Sequence, residues 1–227
     1  MDFLSNSLGY AGTLLQIVLL VLIFRGAFSR YFPLFIYVLT EVILSFAQAY
    51  VVQKWGLDHD HYFHVFWFGE LFIDIQLFLM MITLTWRALE GNPQRVKVAR
   101  FMAIAVLVVL LVPFVAFQSK VYTTRWNDST SQLLNFGAAV MNLALWGALL
   151  VNKQRDRQLL TVTAGLGVAL AGAAVTLGLR NFTGEASIGR EVADYSYRLL
   201  YIGSVVIFCW AFRPPRKVIA VVPEGPV

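Results

Sequence analysis

Seven apolar runs divide the chain. They cover about Leu8–Phe24, Tyr31–Val52, His64–Trp86, Phe101–Gln118, Gln132–Val151, Leu159–Leu179 and Tyr195–Phe212. Each is near the ~20 residues that a ~30 Å hydrocarbon layer requires of a spanning helix. Short polar or basic stretches separate them, and open sheet cannot cross lipid with its backbone unpaired. The pattern predicts an all-α integral membrane protein, a seven-transmembrane-helix bundle. One domain spans residues 1–213, followed by a short proline-broken tail, 214–227.

Against this apolar background the polar positions are few and patterned. Helix 2 carries Tyr37, Glu41, Ser45 and Gln48 at steps of four, four and three, a stripe down one helix face. Helix 3 carries Glu70 and Asp74 one turn apart, and helix 7 carries Arg198, Tyr201 and Ser204 on one stripe. Charged groups at bilayer depth are costly and normally face the bundle interior. A loop of about ten residues joins helices 2 and 3, which makes them antiparallel neighbours. The expectation is a buried polar pocket between helices 2, 3 and 7, built from Tyr37, Glu41, Ser45, Gln48, Glu70, Asp74, Arg198 and Tyr201. Arg198 is the candidate counter-charge, with an exposed pair to Asp194 as its other use. Gln16, Asn135 and Asn142, and Gln48 within the stripe, read as packing polar groups between helices. Gly165, Ala169, Gly172 and Thr176 form a small-residue face on helix 6, suited to a close helix neighbour or to an oligomer contact. Trp55, Trp86, Trp126 and Trp210 fall near segment ends as interfacial anchors.

Composition supports the membrane assignment. The chain is 59% hydrophobic and 14% charged, with mean hydropathy +0.68. Soluble domains carry about 25% charged residues, so no room is left for a separate soluble domain. The net charge of +5 is explained by orientation. Twelve Lys and Arg fall in loops 1–2, 3–4 and 5–6 and the tail, against six on the other side. The positive-inside rule then puts the N-terminus outside and the C-terminus in the cytoplasm, in a multi-pass cell-membrane protein, the bacterial inner membrane being the expected one. Nucleic acid is not an expected partner. The lipid bilayer is one, and another membrane protein or further copies of the chain are others. The first apolar run lacks the basic residues that precede a signal peptide's core.

Candidate chemistry is sparse. The single cysteine, Cys209, excludes an internal disulfide or a cysteine metal site. All three histidines, His59, His61 and His64, lie within six residues beside Asp58 and Asp60 at the start of helix 3. They make a candidate site for a divalent metal such as zinc, copper or nickel, or a group titrating at mildly acid pH. Helix 7 has no lysine for a Schiff base, which excludes retinal, and no other cofactor is expected. No HExxH, G-x-S-x-G or paired aspartate motif is present, so catalysis is the weakest reading. Two others remain. One is a partner-dependent sensor or accessory subunit, and the other a small transporter that uses the intramembrane carboxylates for protons or cations.

Overall fold

The computed structural model describes residues 2–56, 60–90, 95–116, 124–151, 156–182 and 188–214. The tail from residue 215 lies outside them. The described residues form seven helices: α1 (Asp2–Gly26), α2 (Phe32–Trp55), α3 (Asp60–Ala88), α4 (Arg95–Ala116), α5 (Thr124–Val151), α6 (Arg157–Phe182) and α7 (Ile188–Ala211). Several outrun the apolar segments that predict them. α5 starts eight residues before Gln132 and α7 seven before Tyr195. Hydropathy marks the length that lipid tolerates, whereas a helix continues as long as its backbone hydrogen bonds can form.

Local chemistry sets the visible ends. Pro33 stands in the first turn of α2, where its missing N–H costs nothing. Gly56 closes that helix with φ of 84°, its N–H bonded to the Val52 carbonyl at 2.9 Å. The left-handed backbone there suits glycine. Asp156 caps α6, its Oδ1 accepting from the backbone N–H of Gln158 and Leu159, each at 3.1 Å.

Six helices form a closed ring, each packed on the next, in the order α1, α2, α3, α5, α6, α7 and back to α1. α4 stands outside it, against α5 and α3, with Ile104, Leu107, Val108 and Leu111 exposed. The small-residue face of α6 is used inside the bundle, against α7. A Cβ on Gly165 would meet the Phe208 ring, and one on Gly172 would meet Leu200. The Thr176 hydroxyl donates to the Ala193 carbonyl.

The apolar core lies towards the end of the bundle that holds the α1–α2 turn. Leu19, Ile23, Leu34, Met81, Leu145 and Leu166 are among its fully buried members. At this end Arg30 pairs with Asp156, and the Arg87 guanidinium donates to the Arg30 carbonyl. These contacts tie the α1–α2 turn to α3 and to the start of α6.

The outer surface is apolar on every side of the ring. Leu14, Ile43, Phe72, Phe136, Leu143 and Leu199 are each more than half exposed. Soluble monomers seldom carry so much contiguous apolar surface. Among the described residues four helices are long and apolar enough to cross a membrane, over Ser7–Gly26, Phe32–Trp55, Tyr62–Ala88 and Arg157–Thr176. These are the marks of a membrane protein. Trp55, Trp86 and Trp210 are exposed near helix ends, with Lys54, Arg95 and Arg213 over their respective rings. Trp126, expected beside them as an anchor, is buried instead. It stands in the first turn of α5, a helix that packs on α3, α4 and α6 while Phe136 and Leu143 farther along it face outward.

Candidate functional site

Glu41 is the organising side chain. It stands midway along α2, with Tyr37 one turn before it and Ser45 one turn after. The Ser45 hydroxyl donates to the Glu41 carbonyl at 2.9 Å, so its proton is used within its own helix. The Glu41 carboxylate turns into the ring. Its Oε2 accepts from Gln16 Nε2 of α1 at 2.7 Å and from the Tyr201 hydroxyl of α7. Gln16 Nε2 also donates to the Tyr201 oxygen, which closes a triangle across three helices. Tyr37 and Glu41 together line a small void on the inner side of the triangle. α2 and α7 are not neighbours in the ring, so the triangle spans the interior.

A cavity of about 220 Å³ stands on this triangle and faces the end that carries the N-terminus. The N-terminal half of α1 contributes Gly12 and Thr13, α2 contributes Ser45 and Gln48, α3 contributes Glu70, and α7 contributes Tyr197 and Arg198. Arg198 is exposed, whereas Glu70 is half-buried. Beyond the triangle lies a void of about 10 Å³, between Tyr37, Leu166, Ala169 and Phe208. That is about the least space that holds one water. The packed core follows.

Six of the eight residues grouped by sequence therefore line one cavity: Glu41, Ser45, Gln48, Glu70, Arg198 and Tyr201. Tyr37 lies just beneath them. Asp74 does not join them. Its carboxylate is buried and faces α5, accepting from the Ser131 hydroxyl and from Asn135 Nδ2, the latter at 2.9 Å. The reason is helical pitch. Four residues advance about 400° at 100° each, so Asp74 stands about 40° round from Glu70. On α3, wedged between α2 and α5, that turn moves a side chain from one neighbour to the other. The pocket consequently takes α1 in place of a second acid from α3.

Sequence reasoning assigned Gln16 and Asn135 to packing and passed over Thr13, Tyr197 and Ser131. Ser131 and Asn135 are spaced four apart, which is the signal for a two-donor seat on one helix face. Nothing in the chain states which acid occupies it. Asn142 is buried on α5, its Nδ2 3.0 Å from where a Cβ on Gly167 would stand, and its Oδ1 has no hydrogen-bond partner among the described residues. Cys209 donates weakly to the Leu15 carbonyl at 3.8 Å, a packing contact.

Of the histidines, His64 is exposed, stacked on Phe68. His59 and the side chain of His61 lie outside the described residues. Among the described residues no three His, Cys, Asp or Glu gather as metal ligands. Comparison of the chain with protein-family models, with curated proteins and with solved structures returns no match.

Proposed function

We propose that this chain is a membrane sensor or accessory subunit, dependent on a protein partner, which holds a small polar ligand between α1, α2, α3 and α7. In this proposal all seven helices span the bilayer, with the N-terminus outside and the C-terminus in the cytoplasm, in a cell membrane of the bacterial inner-membrane type. The cavity then opens outward.

One observation carries the proposal: among the described residues the cavity ends at a hydrogen-bonded floor. The Gln16–Glu41–Tyr201 triangle forms its floor, and tightly packed apolar side chains lie behind it. A polar pocket with such a floor suits occupancy more than passage. A carrier that uses Glu41 would need a route past Leu166 and Phe208, both buried. Dependence on a partner is read from the short connections between the helices, which hold no domain of their own.

Purification in mild detergent followed by native mass spectrometry tests the proposal, alongside proton and cation flux in liposomes. A co-purifying membrane protein and no flux above empty liposomes are expected. Flux that Glu41→Gln abolishes would overturn the proposal in favour of a transporter. Metal analysis of the same sample tests the histidine cluster.

A further inference from the structure

We infer that the cavity takes a small organic cation, an amine whose ammonium meets the Glu41 carboxylate at the floor. This rests on the cavity being a binding pocket, and adds the chemical class of what it binds.

Three observations lead to it. First, the walls beside Glu41 offer acceptors. The Ser45 hydroxyl donates to the Glu41 carbonyl and the Thr13 hydroxyl to the Gly9 carbonyl, so each oxygen offers the cavity lone pairs. Gln16 Nε2 has both protons engaged, on Glu41 and Tyr201, and the Tyr201 proton is engaged on Glu41. A ligand that fits such walls brings its own donors, and an ammonium group carries three. Second, the charges lining the cavity are two carboxylates, Glu41 and Glu70, against one guanidinium, Arg198. Arg198 stands at the exposed rim, so the carboxylate at the floor lies farther in than the one cation that lines the cavity among the described residues. Third, the Tyr197 and Tyr201 rings stack at 6.4 Å along α7, and both line the cavity. Aromatic faces attract cations through the ring quadrupole.

Size separates an organic cation from a bare ion. The cavity of about 220 Å³ far exceeds the ~10–15 Å³ that one water requires. Leu8, Leu44, Ile73 and Ile202 add apolar wall to the polar set, which suits a ligand with a hydrocarbon body.

Titration calorimetry with the full chain in phosphatidylcholine nanodiscs tests the inference, with empty nanodiscs as blank. The probes are 2-phenylethylammonium, its neutral isostere 2-phenylethanol, and phenylacetate. The amine is expected to bind about tenfold or more tightly than the alcohol, the size of a charge-assisted hydrogen bond set against a neutral one. Glu41→Gln should bring the two within about threefold, and Glu70→Gln should weaken the amine without removing its lead. Gel filtration and circular dichroism confirm that each variant is folded, and Glu70→Gln decides if Glu41→Gln is not. Equal binding of amine and alcohol, or tighter binding of phenylacetate, overturns the cation assignment and leaves a pocket of another class. Absence of binding by all three also overturns it, and the sensor proposal is then judged by co-purification. Amine binding that persists in Ser45→Trp, which fills the cavity, overturns the location and the pocket together.

Discussion

Gly165→Ala puts a methyl group where the structure has none to spare. The new Cβ would stand 2.6 Å from Phe208 Cε1 and 2.8 Å from Cδ1, well inside contact distance. Phe208 is buried in the core, so its ring cannot swing clear without moving its neighbours. Overpacking of this kind costs about 1–3 kcal/mol. Alanine also improves helix propensity by about 0.8–1.0 kcal/mol, which partly offsets the clash. Gly147→Ala on α5 isolates the two effects, because nothing lies within 4 Å of its added Cβ. Only the propensity gain remains there. Gly165→Ala should therefore be about 1–3 kcal/mol less stable than Gly147→Ala, whatever the absolute propensity term in detergent. Equilibrium unfolding in mixed dodecylmaltoside–SDS micelles measures this difference. Adding Phe208→Leu to Gly165→Ala should recover part of the loss, a coupling of about 0.5–3 kcal/mol. If the two glycine variants unfold at the same SDS fraction, the small-residue face of α6 does not pack on Phe208, and the assigned α6–α7 contact fails.

Other perturbations separate the two carboxylate networks and the clasp at the far end. Tyr201→Phe should cost about 1–2 kcal/mol, since it removes a donor to Glu41 and an acceptor for Gln16. A cycle with Gln16→Leu should show the two changes to be non-additive; additivity would mean that the triangle does not form. Asp74→Asn should leave amine binding in the calorimetric assay within about twofold, because Asp74 faces Ser131 and Asn135 rather than the cavity. A loss as large as that of Glu41→Gln would put Asp74 back in the pocket. Asp74→Leu should destabilise by about 1–3 kcal/mol more than Asp74→Asn, as it strands two donors, and chemical unfolding reads the gap. Asp156→Ala should cost about 1 kcal/mol through the lost α6 cap, and Arg30→Ala less, because their ion pair is partly exposed. Equal losses would shift the stabilisation from the cap to the pair.

Lipid solubility is a one-dimensional property, and the order of residues was enough to determine it. Seven helices, their sequence positions and the polar stripe through Tyr37, Glu41, Ser45 and Gln48 follow from hydropathy and helical spacing. So does the adjacency of α2 and α3, since a short loop permits little else. Which stripes meet is a different matter. The exclusion of α4 from the ring brings α5 against α3, and that placement takes Asp74 away from Glu41. Closure of the ring by α1 and α7 brings Gln16 and Tyr201, 185 residues apart, onto one carboxylate oxygen. Spacing along a helix tells which side chains share a face. Only the rotation and neighbours of every helix together decide what that face meets, because a turn of about 40° is enough to change partners.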